Sequence, residues 1–271
     1  MLFKLSRILK YLVLLFGCLV LYAIFIEPYW IQVQEIEIPD EPFATFFKSN
    51  KTIFMSDIHV TRFGLREKLL LDKISQISPE IILLGGDLVG WNGDYQSACK
   101  FLGKLQAPKG VYGVLGESDF QDNRKSCNFC HTFGKSSNSF SAKFLQNQVA
   151  RLPDNQTAIF GLDMRSLDPE LRKRSGVETL MEAAIIISHR EGDVEGAPDL
   201  PVLLLSGDTH GGQVWMPNWL WNWSFGKSKG PIRKGIERSG KKISVVTSGI
   251  GVNRIPLRFL CPPEVLILKG R

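Results

Sequence analysis

Five short apolar runs, TIFM, EIILL, VYGVL, AAIII and PVLLL, each stop within a few residues of an acidic side chain or a histidine. Between the first three lie LREKLLLDKISQI and YQSACKFLGKLQA, whose apolar residues recur at helical spacing; the former closes at Ser78-Pro79, a good helix stop. This βαβαβ alternation predicts an α/β fold with largely parallel neighbouring strands. Further on, SAKFLQNQVARL reads as a helix, TAIFGLD as a strand, and a charged helical stretch leads into AAIIISHR. KISVVTSGIG and EVLILKG add two more apolar runs, and RKSCNFCHTFGKSSNSFS reads as an exposed loop.

The strand ends carry Asp57 with His59, Asp87, Glu117, His189, and Asp208 with His210. In open α/β sheets the carboxyl ends of strands form the ligand crevice, so these side chains are expected to converge there. A single Asp after a strand is ordinarily a turn or cap residue, and a lone His ordinarily packs or hydrogen-bonds. The combination argues otherwise, because three of the four histidines lie at strand ends beside carboxylates. A set rich in carboxylate and imidazole and lacking thiolate suits Mn, Fe, Zn or Mg.

The 271 residues suffice for one generous domain plus an appendage. The net charge of +6 suits nucleic acid, phosphates or an anionic membrane without choosing among them. The N-terminus does choose. Lys4, Arg7 and Lys10 precede an uncharged run from Tyr11 to Ile26, and Glu27, Pro28, Tyr29 and Trp30 follow where an interfacial aromatic belt would sit. A cleaved signal peptide would want small residues after the run, and bulky ones stand there. The expected organisation is a membrane anchor at 1–30, a linker at 31–50 and one domain at 51–271. Positive charge before the span and Glu27, Glu35, Glu37 and Asp40 after it favour an outside domain.

The ordered series SDIH, GGDL, GESD, SHR and GDTH resembles the motifs of the calcineurin-like metallophosphoesterases, and the tail SGIGVNRIPLRFLCPPEVLIL is similar to their membrane-anchored bacterial branch. That branch includes the UDP-2,3-diacylglucosamine hydrolases of lipid A synthesis. The resemblance implies a four-layer αββα sandwich with two metals at the strand ends. One would be held by Asp57, His59, Asp87 and His210, the other by Asp87, Glu117, His189 and Asp208. Asp87, His210 and Glu117 are the implied catalytic residues. Glu117 and Asp208 depart from the family's Asn and His, and these harder ligands favour Mn, with Mg or Fe also suitable. Ser118 stands where the family places a histidine that protonates or stabilises the leaving group. Serine is no general acid near neutral pH, so a leaving group that is already a stable anion, as in diphosphate cleavage, fits better.

WMPNWLWNWSFGKSKGPIRK follows the last motif directly. Its tryptophans beside cationic residues suit a membrane interface, a core hairpin or nucleic-acid stacking. With an anchor present, the lipid reading is simplest, and no nucleic acid is expected. Trp219, Trp221, Trp223, Lys227 and Arg233 are the candidate contacts with bilayer or substrate. CNFCH fits the c-type haem attachment pattern, but so short a match reads first as a plain loop, then as a disulfide or an incomplete zinc site, and last as a haem site.

The expected activity is hydrolysis of UDP-2,3-diacylglucosamine to UMP and the acylated sugar 1-phosphate, by an enzyme anchored in the inner membrane. That substrate implies the cytoplasmic face, against the flanking charges. The alternatives are a broad extracytoplasmic phosphodiesterase and a non-catalytic metal- or haem-binding membrane protein on the same fold.

Overall fold

A strand buried on both faces reads as a nearly continuous apolar run, and TIFM illustrates the consequence. In β2 (Thr52–Met55) the side chains of Ile53 and Met55 pack on one side of the sheet and Phe54 on the other. The same division splits Ile82 and Leu84 from Ile81 and Leu83 in β3 (Ile81–Leu84).

A computed structural model describes residues 2–91, 95–121, 126–127, 140–151, 158–163, 184–191, 201–217, 219–220, 223 and 234–271. Its first sheet has the order β1 (Gln32–Ile38), β14 (Glu264–Gly270), β2, β3, β4 (Val111–Gly113) and β7 (Ala142–Phe144). The second has the order β12 (Gly235–Ser239), β13 (Lys242–Val246), β11 (Val202–Ser206), β10 (Ala184–Ile187), β9 (Ala158–Gly161) and β8 (Gln148–Arg151). A two-stranded ribbon pairs β5 (Phe120–Gln121) with β6 (Ser126–Cys127).

The two six-stranded sheets share a core in which Phe54, Leu83 and Leu266 of one meet Ile185, Leu203 and Val245 of the other. Helices α3 (Leu65–Ile77) and α4 (Tyr95–Leu102) cover the outer face of the first sheet with Leu70, Ile74, Phe101 and Leu102. Phe160, Ile186 and Leu204 line a separate cluster on the other face of the second sheet. The chain is thus an α/β sandwich, and three of its expected layers lie within the described residues. The charged stretch at 164–183, read as helical, lies outside them.

Two expectations change. SAKFLQNQVARL is not a helix: β7 lies parallel to β4 at the edge of the first sheet, and β8 runs antiparallel to β9 in the second. Ala142 and Phe144 are buried and Lys143 is exposed, a period of two, and Asn147 turns the chain between the sheets with φ of 52°. Two sheet edges offer this segment hydrogen bonds that outweigh its helical spacing. Residues 31–50, expected to link anchor and domain, belong to the domain. There β1 lies parallel to β14 in seven-residue register, and α2 (Phe43–Ser49) buries Phe43, Phe46 and Phe47 in the inter-sheet core. Edge position explains the polar look of β1, whose Glu35 pairs with Lys269 across to β14.

The first helix, α1 (Leu2–Phe25), continues into a 3₁₀ turn at Glu27–Tyr29, and Arg7–Tyr29 is long and apolar enough to cross a membrane. The side chains of Tyr11 to Phe16 are exposed along it.

Candidate metal centre

Four of the five strand ends that carry acidic or imidazole groups bring those groups together. Asp57, His59, Asp87, His189 and His210 are all buried, and they form two overlapping groups whose donor atoms lie within 4.8 Å of one another. One group is Asp57, His59 and His210, and the other is Asp57, Asp87 and His189. Asp87 also touches both, with Oδ2 3.4 Å from His59 Nε2 and Oδ1 3.5 Å from His189 Nε2.

These residues leave their strands abruptly. Asp57, His59, Asp87, Asp208 and His210 all have φ between 44° and 70°, a left-handed backbone that costs side-chain-bearing residues of order 1–3 kcal/mol each. The fold holds them there by close approach of glycines. A Cβ on Gly207 would stand 2.2 Å from Asp57 Oδ2, and one on Gly116 would stand 2.2 Å from Asp87 Oδ1. From the start of α3, Arg66 donates to the carbonyls of Ile58 and His59 and so fixes the D-x-H turn.

The donor chemistry fits divalent metal. His59 Nε2 and His210 Nε2 face each other at 3.1 Å, the spacing of two donors each ~2.1 Å from one ion. Burial, only partly offset by Asp87, lowers His59 to about 4, and burial with the facing His59 lowers His210 well below its ordinary value. Both rings are therefore neutral at pH 7, as ligands must be. His189 presents its Nδ1 to the Gly85 carbonyl at 2.8 Å, which aims Nε2 at the carboxylates. Burial alone would lower His189, but Asp87, Asp57 and Asp208 outweigh it and raise it to about 9. Burial, opposed by His189 and reinforced by Asp87, raises Asp57 to about 7. A buried cluster in this state is electrostatically uncomfortable without a cation.

Glu117 and Asp208 sit at the more open rim. Glu117 is ion-paired with Arg190, and the Asp208 side chain is 39% exposed, 3.7 Å from His189 Nε2. Neither belongs to the two donor groups above. Ser118, at the position implied for the family's histidine, is buried and donates its backbone N–H to Asp87 Oδ1. Trp219 and Trp223 are 71% and 82% exposed, which removes the core-hairpin reading for both. Trp221, Lys227 and Arg233 lie outside the described residues, as do Cys130 and His131.

Sequence reasoning passed over Asp119, although it stands inside GESD, and Gln213, three residues past GDTH. Asp119 Oδ1 accepts from the N–H groups of Leu88 and Val89, and Oδ2 accepts from Gly116. It thereby clamps the loop of Asp87 to the loop of Glu117. Asp119→Asn turns an amide NH₂ toward the Gly116 N–H. At pH 8 it is expected to lower stability by about 1–3 kcal/mol in urea denaturation. Hydrolysis should fall by about 10- to 100-fold, in the manner of other changes to ligand supports.

Facing sheets that bring buried carboxylates and imidazoles together at their strand ends form a sandwich with a candidate divalent-metal centre. No family model matches the chain. It is 26% identical over 260 residues to the metallophosphoesterase YkuE of Bacillus subtilis, covering 91% of this chain and 87% of that protein. It is likewise 26% identical to the phosphodiesterase YaeI of Escherichia coli, covering 92% and 91%. A transmembrane protein with a metallophosphoesterase domain from Danio rerio is 25% identical over 88% of this chain and 57% of its own length. These likenesses and the site together support a place for the chain in the calcineurin-like metallophosphoesterase superfamily.

Proposed function

We propose that the chain is a membrane-anchored two-metal phosphoesterase that cleaves a phosphodiester or diphosphate bond. The observation that carries this reading is the pair of buried donor groups sharing Asp57, with Asp87 between them. Asp57, His59, Asp87 and His210 would hold one ion, and Asp87 and His189, joined by Asp208 and Glu117, the second. Divalent ions in such a site supply an activated nucleophile and neutralise charge on the phosphoryl oxygens. The protein positions the ligands, excludes water from the His59 and His210 side, and places Arg190 at the open rim.

Ser118 supports a substrate whose leaving group needs no proton, and UDP-2,3-diacylglucosamine is the diphosphate chosen for the test. The charge asymmetry around α1, and the name of the E. coli relative, favour a second reading, an outward-facing phosphodiesterase. One assay compares them. The full chain in detergent with Mn is given UDP-2,3-diacylglucosamine or bis(p-nitrophenyl) phosphate, beside Asp87→Ala. UMP release lost in the variant supports the diphosphate reading and a cytoplasmic domain. Cleavage of the phosphodiester alone supports the second. Cleavage of neither by metal-loaded protein contradicts both.

A further inference from the structure

The loop after Gly251 has work to do on its far side. Residues 252–260 start at Gly251, whose N–H donates to the Asp57 carbonyl at 2.6 Å, and end at Cys261, whose Sγ lies 3.5 Å from the His210 carbonyl. Gln213, three residues after His210, holds the middle. Its carboxamide nitrogen donates to the carbonyls of Ile255 and Leu257, and its oxygen accepts from the Asn253 N–H. Buried Arg258 ties both ends together through the carbonyls of Ser248, Gly251 and Cys261.

The same loop is docked on the end of α1. Arg258 donates its backbone N–H to the Ala23 carbonyl at 2.9 Å, and the rings of Tyr22 and Phe259 meet edge to face at 6.5 Å. Leu260 has φ of 53°, so its N–H and that of Cys261 point the same way and enclose the carboxylate of Glu27. Glu27 is the charge that ends the apolar run, and it is fully buried in that nest.

Length makes this consequential. The uncharged run Tyr11–Ile26 spans only ~24 Å as a helix, against a hydrocarbon layer of ~30 Å. With Glu27 hidden, the apolar surface continues past it through Tyr29, Trp30 and Leu260, and Ile255 lies on the same loop. Trp30, Ile255 and Leu260 are 57%, 62% and 58% exposed. Single exposed apolar residues are ordinary, but Ile255 and Leu260 sit on a loop hydrogen-bonded to the last turn of the helix, and Trp30 follows that helix through its 3₁₀ turn. Arg254 beside them stacks on exposed Trp91, 4.9 Å from the ring centre, an arrangement suited to phosphate headgroups.

We propose that residues 252–260 form a lip seated in the headgroup layer of the bilayer, with Ile255 and Leu260 in the lipid. The lip holds the metal centre beside the membrane, so the phosphoester that reaches its open rim is borne by a lipid of the same leaflet. The lip itself rests on α1 being an anchor, and its consequence for substrate rests on the phosphoesterase reading.

Two measurements on the full chain in phosphatidylcholine–phosphatidylglycerol nanodiscs separate these. First, a nitroxide is attached to Ile255→Cys, with Cys18, Cys127 and Cys130 replaced by serine. It should collide more with oxygen than with a water-soluble nickel chelate. Preference for nickel overturns the lip whether or not the protein is active. Second, Ile255→Glu and, separately, Leu260→Asn, which tolerates the left-handed backbone, are assayed on two substrates. Cleavage of bis(p-nitrophenyl) phosphate should stay within about twofold, while cleavage of a fluorescent phosphodiester lipid in the same discs falls at least tenfold. Equal loss on both substrates in both variants, or no loss on either, overturns the proposal. Wild-type protein that cleaves neither substrate, with oxygen still preferred at residue 255, overturns the phosphoesterase reading and upholds the lip.

Discussion

Asp57→Asn is expected to leave the metal-free protein more stable and to abolish its hydrolysis. Asp57 belongs to both donor groups, and burial above all, reinforced by Asp87 and Asp208, disfavours its charge by more than the attraction of His189 restores. At pH 8, removing that charge relieves the cost of burying it, while the amide oxygen can still accept the Asp208 N–H now held at 3.1 Å. The melting temperature of chelator-treated protein should rise by about 2–4 °C, the effect of ~1 kcal/mol in a domain of this size. Adding Mn at ~100 times its Kd should raise the wild type by about 5–10 °C and the variant by much less. Hydrolysis should fall by about 10³-fold or more, as expected when a preorganised charge-stabilising centre is lost. A variant less stable than wild type without metal, yet equally stabilised by Mn, would show that Asp57 is a structural residue.

The second large effect is on pH. His189 in the metal-free fold is raised from 6.5 to about 9. The stability it contributes is therefore fully present below 6.5 and lost as pH rises through 9. Asp57, raised from 3.8 to about 7, acts with the same sign over a lower window. His59, lowered to about 4, acts oppositely: its contribution is present above 6.5 and lost as pH falls through 4. Between pH 6.5 and 9 the signs no longer compete, and the metal-free melting temperature should decline. Metal displaces the proton of His189, so the metal-loaded protein should hold its melting temperature and the gap should widen. Calorimetry of Mn binding in buffers of different ionisation enthalpy should register release of roughly one to two protons at pH 7.5. A gap that narrows with rising pH contradicts the assignment of His189 as a ligand.

What could be read from the chain depended on how many faces each segment buries. TIFM, IILL, AIII and VLLLS are apolar but for Thr52 and Ser206 at their ends because both faces are covered, and their strand character was plain. At the edges the signal failed. β1 carries Glu35 and Glu37 outward and passed for a linker, and β7 with β8 passed for one helix because Phe144, Leu145 and Val149 would share one face of a helix. The candidate site was legible because its acidic and imidazole residues are local: each sits just past an apolar run. Its supports were not. Glu27 receives the N–H of Leu260 across 233 residues, and nothing near either position in sequence announces the other. Arg258 likewise looks like a surface cation until its carbonyl partners are seen to close around it.

The most direct test of the metal centre is a titration of the chelator-treated full chain with Mn, followed by electron paramagnetic resonance. Two ions per chain, with signals broadened by mutual coupling in wild type and that coupling lost in Asp87→Ala, are the expected result. A single ion, two uncoupled ions, or binding that survives Asp87→Ala unchanged would contradict a two-metal centre built on Asp57 and Asp87.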